Sequence, residues 1–299
     1  MVFGTRSRRL VALLAAFAAL VLVFAGCGGR QAQTGQQAKT INIGFISWDE
    51  DIAVSHLYKV LLEKKGYHVN LQELEAGPMY AGLAQGNVDL FLDGWLPQTH
   101  ADYWKQYGNK LEDLGVWYDQ ATLNLAVPKY LTDVNSISDL PGRGAQFNHV
   151  ITGIDPGAGE TRTVKDSVMP AYGLNGEFTL QTSSTTAMLA SLEKAINEHR
   201  PIVVTLWHPH WAYARYPIKD LQDPKGAMGK PEQIHAIGRG NFSNDFPEIT
   251  DMVKKFKLND QQLASLENAI NSAPKGQEDM AAQNWVNQNQ AVVNTFFHQ

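Results

Sequence analysis

Residues 41–71 read INIGFISWDEDIAVSHLYKVLLEKKGYHVNL and contain a strand, a helix and a second strand in close succession. The apolar run Ile41–Ile46 is typical of a buried strand, and apolar residues recur at helical spacing through Ile52–Lys65. Gly66 then ends the helix, as glycine commonly does, and Tyr67–Leu71 is strand-like again. This order predicts a parallel α/β sheet.

The same alternation continues and then recurs in a second half of the chain. A short helix over Tyr80–Gln85 and a third strand over Val88–Leu92 complete the first half. The second half repeats the order, with strands predicted at His149–Ile154, Phe178–Thr182 and Pro201–Leu206 and helices at Glu160–Tyr172 and Thr185–Asn197. The stretch Phe246–Phe297 is largely helical by pattern. We therefore expect two α/β lobes that face each other across a cleft.

Three tryptophans come directly after predicted strands. Trp48 follows the first strand, and Trp95 and Trp207 follow the third strand of each half. Ligands of open parallel sheets bind beyond the carboxyl ends of the strands, so these positions point to one place. An indole face attracts a cation by about 0.5–2 kcal/mol without a hydrogen bond, which suits a quaternary ammonium group. Taken singly, each tryptophan is more often a packing residue; their common placement favours an aromatic cage.

A glycine-rich turn, Thr152–Gly159 (TGIDPGAG), joins a predicted strand to a predicted helix. Such a turn presents backbone N–H groups at a helix N-terminus and favours an anion, although its glycines are often needed only for geometry. It is not a P-loop, because no Gly-Lys-Ser/Thr follows. His100, five residues after Trp95, offers a further ring N–H, although a lone histidine is more often structural. Beside a cage, these groups would complement a carboxylate on the same ligand.

The beginning of the chain is typical of an export signal. A basic start with three arginines precedes the apolar run Leu10–Phe24, which is shorter than the roughly twenty residues that span a bilayer. The segment FAGC at 24–27 resembles the lipobox of bacterial lipoproteins, with phenylalanine where leucine is usual. We expect residues 1–26 to be a signal peptide, Cys27 to carry lipid and residues 27–39 to form a flexible tether. An ordinary signal peptide with a chance cysteine is the alternative.

Composition excludes several classes of protein. A chain of 299 residues with 44% hydrophobic and 18% charged residues has enough apolar side chains to form a hydrophobic core. This composition is typical neither of a disordered protein nor of a coiled coil. Its net charge is −5, or −8 once residues 1–26 and their three arginines are removed, which argues against a nucleic-acid partner. One cysteine cannot form an internal disulfide or a thiolate metal cluster. The remaining tryptophans are interpreted as packing or rim residues: Trp104, Trp117, Trp211 and Trp285.

Five segments resemble the signature segments of glycine-betaine-binding proteins of ABC-type osmoprotectant importers. They are GFISWD at 44–49, EAGPM at 75–79, GWLPQTH at 94–100, GIDPG at 153–157 and WHPHW at 207–211. The resemblance implies a two-lobed periplasmic-binding-protein fold, type II-like, in which each lobe is a mainly parallel sheet flanked by helices. It implies a lobe A of residues 40–121 plus 230–299 and a lobe B of residues 122–229, with the ligand cleft between them.

The resemblance also implies a site and a function. The cage around a trimethylammonium group carries over onto Trp48, Trp95 and Trp207. The ligand carboxylate would be held by the backbone N–H groups of Gly153 and Ile154 and by the ring of His100. The protein would then be a monomeric, lipid-anchored, extracytoplasmic binding protein without a cofactor or metal. It would deliver glycine betaine, or a similar zwitterion, to a membrane permease that an ATPase drives.

Other interpretations stay open. The same fold would also suit carnitine, choline or proline betaine as ligand. A metalloenzyme would use His208 and His210, which lie two residues apart, but no His-Glu-x-x-His motif or cysteine pair supports it. No Gly-x-Ser-x-Gly elbow for nucleophilic catalysis is present in the sequence either. We therefore expect a binding protein and not an enzyme.

Overall fold

The computed structural model describes residues 39–298. The predicted signal peptide, the lipidated Cys27 and the tether up to residue 38 lie outside the described residues, and they stay predictions. All described residues belong to one compact unit, Ala38–Gln299. Because this unit is not divided further, the predicted limits of lobes A and B stay predictions as well.

The first half of the chain forms the predicted parallel strands. Strand β1 lies between β2 and β3 and runs parallel to both. The elements are β1 (Thr40–Phe45), α1 (Asp49–Lys64), β2 (His68–Glu73), α2 (Ala76–Gln85), β3 (Leu90–Leu96) and α3 (Ala101–Tyr107). Strand β3 extends four residues beyond the predicted end at Leu92, because it continues past a bulge between Phe91 and Gly94. Trp95 therefore lies within this strand and not after it.

Helix α1 shows how the local sequence determines these elements. Trp48 precedes its first turn, and that turn carries Asp49, Glu50 and Asp51. Negative side chains are favoured at a helix N-terminus, where backbone N–H groups have no partner within the helix. The helix ends before Gly66, whose φ of 84° is in the left-handed region that glycine adopts at little cost. Trp48 and three acids are thereby held at the carboxyl edge of the sheet.

The second half repeats the arrangement. Strand β5 (Val150–Thr152) pairs in parallel with β6 (Thr179–Gln181) and with β7 (Val204–His208). The intervening helices are α4 (Gly159–Thr163), which continues through a π-helical turn (Val164–Val168) into α5 (Met169–Ala171), and α6 (Thr185–Asn197). Strand β7 also runs two residues past its predicted end, so Trp207 is a strand residue.

Three antiparallel strands were not predicted. They are β4 (Leu111–Pro128), β8 (Ile218–Asp220) and β9 (Glu232–Arg239). Two of them, β4 and β9, join the two halves. Residues 111–121 of β4 pair with β9, whereas residues 122–126 pair with β7. The strand order is β2-β1-β3-β9-β4-β7-β5-β6, with β8 paired to β4. A single long strand thus passes from the first half into the second.

The remaining α-helices are α7 (Ala212–Arg215), α8 (Phe242–Asp245), α9 (Pro247–Lys255), α10 (Asp260–Asn271), α11 (Glu278–Gln288) and α12 (Gln290–Val293). The last four lie in the stretch 246–297, which was predicted to be largely helical. Helices α10 and α11 pack on α1. The described residues bury two hydrophobic clusters, and the larger one extends from the first half into the C-terminal helices. The smaller cluster lies wholly in residues 125–228.

Candidate functional site

A small cavity lies where the carboxyl ends of the strands from the two halves meet. It is lined by Trp48, Glu50, Trp95, Thr99, His100, Leu123, Ile154, Ala158, Gly159, Glu160 and Trp207. It brings together five of the six residues predicted to bind a ligand. The sixth, Gly153, is not among the lining residues.

The three cavity tryptophans come from three different elements. Trp48 precedes α1, Trp95 belongs to β3 and Trp207 belongs to β7. Each is almost fully buried, with at most 5% of its surface exposed. Both strands are followed by a cis peptide bond, to Pro97 and to Pro209.

A carboxyl oxygen accepts the indole N–H of each cavity tryptophan. Trp95 donates to Asp93 at 3.0 Å. Trp207 donates to Glu50 at 2.8 Å, and Trp48 donates to Asp155 at 3.2 Å. The N–H lies in the ring plane, so these acceptors orient the rings from their edges. Only the faces of these indoles remain for a ligand, and an indole face attracts cations.

His100 is a neutral hydrogen-bond donor. Its Nδ1 accepts the backbone N–H of Trp95 at 3.1 Å, which requires that the ring proton sit on Nε2. Burial, with a smaller effect from the Arg162 guanidinium, lowers the pKa of His100 to about 3. The Nε2 atom is buried and has no partner among the described residues. His100 therefore brings to the cavity wall a fixed N–H that has no acceptor among the described residues.

The glycine-rich turn differs from the prediction in one donor. The N–H of Gly153 donates to the Gln181 carbonyl at 2.8 Å, so the sheet already uses it. The N–H of Ile154 has no hydrogen-bond acceptor among the described residues. A Cβ on Gly159 would lie 2.1 Å from the carbonyl oxygen of Thr99, so only glycine allows this approach of the two halves. Ile154, which lines the cavity, therefore keeps a backbone donor that the described part of the chain does not use.

Two carboxyl groups in the cavity wall were missed from the sequence. Glu50 accepts from Trp207, whereas the carboxyl oxygens of Glu160 are buried and receive no hydrogen bond from a side chain in the described part of the chain. Burial raises the pKa of Glu160 well above its ordinary value. Burial and the nearby Asp93 do the same for the pKa of Glu50. In the sequence, both acids lie beside residues already singled out: Glu50 is two residues after Trp48, and Glu160 directly follows Gly159.

The other tryptophans pack outside the cavity. Trp117 and Trp285 are buried in the larger hydrophobic cluster, and Trp104 packs against it. Trp211 is also buried and donates its indole N–H to Asp49 at 2.6 Å. None of the four lines the cavity, which agrees with the packing interpretation.

The two histidines of the metalloenzyme alternative do not converge. His208 lies 2.8 Å from a carboxylate oxygen of Asp220, whereas His210 lies 3.1 Å from Asp49. Within residues 39–298, no cluster of three or more histidine, cysteine or acidic side chains is arranged to hold a metal ion. Within the same range, no helix has both the length and the apolar character needed to span a membrane.

The fold and the cavity define a class of protein. Two α/β halves that close over a small aromatic cavity, joined by a long shared strand, form a solute-binding protein of the two-lobed periplasmic type. Residues 39–288 match the family OpuAC, described as the substrate binding domain of ABC-type glycine betaine transport systems. The chain belongs to this family, whose members bind solutes for ABC transporters and are not enzymes.

Solved structures confirm the predicted fold. The glycine/betaine/L-proline-binding protein ProX of Borrelia burgdorferi superposes with a TM-score of 0.82 at 33% identity, over 87% of this chain and 97% of that one. Lactococcal OpuAC, closed and complexed with glycine betaine, superposes with a TM-score of 0.80 at 32% identity, over 87% and 100% of the two chains.

A curated relative matches over a shorter stretch. The glycine betaine/carnitine transport binding protein GbuC of Listeria monocytogenes is 36% identical over 146 residues. This alignment covers 49% of the present chain and 48% of the relative, so it spans about half the length of that protein.

Proposed function

We propose that this protein captures glycine betaine, or a similar quaternary ammonium zwitterion, in the cavity described above. Trp48, Trp95 and Trp207 surround the trimethylammonium group with their ring faces. At the other end, the Nε2–H of His100 and the N–H of Ile154 donate to the ligand carboxylate. Gly153 supports this end through the backbone of the turn, since its own N–H is used by Gln181.

One observation carries the proposal: the same cavity combines three indoles, whose N–H groups are already bonded to carboxyl groups, with a buried N–H donor that has no partner among the described residues. Such a wall has faces for a cation that cannot donate a hydrogen bond and a donor for an anion. Three faces contribute about 2–6 kcal/mol, and a hydrogen bond to a charged group about 1.5–3 kcal/mol. Micromolar affinity, near −8 kcal/mol, is consistent with these terms once the cost of association is subtracted.

A second candidate is a hydroxylated quaternary amine such as carnitine or choline. The buried Glu160 carboxyl in the cavity wall favours it, because no side chain donates to either oxygen and an alcohol O–H would do so. Proline betaine has no such hydroxyl, and proline carries an ammonium N–H that needs no cage.

The cellular role is part of the same proposal. Loaded protein docks on the permease of an ABC importer, which an ATPase drives, and the protein acts as a monomer outside the cytoplasmic membrane. Lipid on Cys27 anchors it there, and the stretch 27–39 serves as the tether. Mass spectrometry of protein purified from membranes tests the anchor, since a lipidated Cys27 would be the mature N-terminus and Cys27→Ser would release the protein.

Intrinsic tryptophan fluorescence tests the ligand. Glycine betaine, carnitine, choline and proline are titrated separately into the wild-type protein and into Trp104→Ala, which loses a tryptophan outside the cavity. We expect saturable changes with quaternary amines in both proteins and none with proline below millimolar concentrations. Saturable micromolar binding of proline alone would overturn the proposal.

A further inference from the structure

Two of the three cavity tryptophans donate their indole N–H across the cleft. Trp48 stands between β1 and α1 in the first half, and its acceptor Asp155 stands between β5 and α4 in the second half, 107 residues away in sequence. The relation is reversed for Trp207 on β7, whose acceptor Glu50 lies on α1, 157 residues away in sequence. Each half thus supplies a cavity indole and the acceptor for the other half's indole.

A third bond of the same kind stands behind the cavity. Trp211, after β7, donates to Asp49 of α1. Trp95 differs, because its acceptor Asp93 belongs to the same strand and that bond persists whatever the distance between the halves. We call the three bonds between halves (Trp48 to Asp155, Trp207 to Glu50 and Trp211 to Asp49) the cross-cleft indole bonds.

These bonds depend on closure. In an open cleft the indoles and carboxyl groups would face water, which replaces each partner. In the closed arrangement the three indoles are at most 8% exposed. An indole N–H buried there without an acceptor would cost the free energy of removing it from water, with no hydrogen bond to offset that cost. The same contacts therefore orient two of the cage rings and hold the cleft closed.

We propose that Asp155 and Glu50 are positioning residues that latch the cage tryptophans across the cleft, so that completing the cage and closing the protein are one event. This inference rests on the proposed function. It explains why the ring edges, and not only their faces, are provided with partners from the opposite half. Ligand release then requires the cross-cleft indole bonds to break first.

Asp155 offers the cleaner test, because it is not among the cavity-lining residues whereas Glu50 is. Asp155→Ala removes the acceptor and leaves the backbone carbonyl that receives Ala158 N–H and the Thr161 hydroxyl. Asp155→Asn keeps an acceptor oxygen and serves as the conservative variant. Asp166→Ala, at an exposed acid in the same half, controls for the loss of one negative charge.

The readouts are the dissociation rate of glycine betaine in stopped-flow fluorescence and the radius of gyration at saturating ligand in small-angle X-ray scattering. We expect Asp155→Ala to dissociate about tenfold faster or more, the loss of one hydrogen bond to a charged group. It should also populate a more expanded form, whereas Asp155→Asn and Asp166→Ala should stay near wild type. Circular dichroism confirms that each variant is folded.

A double-mutant cycle with Trp48→Phe separates a latch from a general structural role. Phenylalanine keeps an aromatic face but has no N–H, so Asp155→Ala should have little further effect on dissociation in that background. A full tenfold effect in both backgrounds, or an unchanged rate in Asp155→Ala alone, would overturn the latch while leaving ligand binding intact. If the wild type binds no quaternary amine at all, the proposed function fails, and the latch fails with it.

Discussion

His100 offers the sharpest test of the carboxylate end, because its two ring nitrogens have separable tasks. Nδ1 accepts the backbone N–H of Trp95, and Nε2–H has no partner until a ligand arrives. In His100→Asn the side-chain amide occupies the position of Nδ1 and does not extend to that of Nε2. In His100→Gln the amide extends to the position of Nε2 but leaves the inner N–H without its acceptor.

The magnitude follows from the lost donor. A hydrogen bond to a charged group contributes about 1.5–3 kcal/mol, so His100→Asn should weaken glycine betaine about 10- to 150-fold. Choline lacks the carboxylate and should be weakened much less by the same variant. His100→Gln should retain most of the affinity for glycine betaine at some cost in stability. Isothermal titration calorimetry with both ligands against the three proteins measures these differences.

The pH dependence of the same site has a definite sign. The pKa of His100 is lowered from 6.5 to about 3, so the folded protein keeps a neutral ring throughout the physiological range. Betaine affinity should therefore be flat between pH 8 and 5 as far as His100 is concerned. The contribution of His100 to folding stability is fully present above pH 6.5, which is its ordinary pKa. It is lost as the pH falls toward 3, because the unfolded chain takes up the proton before the folded protein does.

Two results would refute this account of His100. Equal losses for glycine betaine and choline in His100→Asn would mean that the ring does not touch the carboxylate. An affinity for glycine betaine that rises severalfold between pH 7.5 and 5.5 in the wild type, but not in His100→Gln, would mean that the ring gains a proton and is not held neutral.

Three further perturbations test the cage, the closed cleft and the buried acids. Trp207→Ala should weaken glycine betaine at least tenfold in a fluorescence titration, because it removes one face of the cage and one cross-cleft bond. Gly159→Ala should weaken it by about 1–3 kcal/mol, since the added Cβ meets the Thr99 carbonyl at 2.1 Å and holds the halves apart. Glu267→Met should raise the free energy of unfolding in urea by about 1–3 kcal/mol at pH 7, because the carboxyl group is buried and neither oxygen receives a hydrogen bond from a side chain among the described residues. Burial raises the pKa of Glu267 above 4.5, so the wild type loses stability as the pH rises past that value and the gain should be smaller at pH 4.

Each of these perturbations has a matched control in the chain. Trp104→Ala removes a tryptophan outside the cavity and should leave the affinity unchanged. Gly157→Ala lies on the same turn as Gly159, but its Cβ would meet only Asp155 Oδ1 at 3.5 Å and the Tyr103 hydroxyl at 3.8 Å, which are ordinary contacts. Wild-type affinity in Gly159→Ala, or a Glu267→Met variant no more stable than wild type at pH 7, would contradict the corresponding argument.

Local patterns predicted a large part of the fold. The parallel strands β1, β2 and β3, their equivalents β5, β6 and β7, and the helices between them follow from periodicity and glycine positions. The antiparallel strands did not follow. Strand β4 contains Gly115, Asp119 and Gln120 and its pairing with β9 is interrupted by bulges, so its sequence lacks the regular alternation that marks a strand.

The sequence also predicted a large part of the candidate site. Trp48, Trp95 and Trp207 stood out because aromatic residues at strand ends are visible one element at a time. The acceptors of their indole N–H groups were not visible, because two of the three lie more than 100 residues away in sequence. The same holds for Gly153, whose N–H is consumed by Gln181 of a neighbouring strand.

The sequence by itself determined the repeated α/β order and the aromatic residues at the strand ends. These are local properties, which depend on the period of apolar residues and on turn chemistry within a few positions. The tertiary structure decided which proton His100 carries, which donors are free, and which carboxyl group holds each tryptophan. Those properties depend on atoms that folding brings within about 3 Å from distant parts of the chain, where burial makes a missing partner costly.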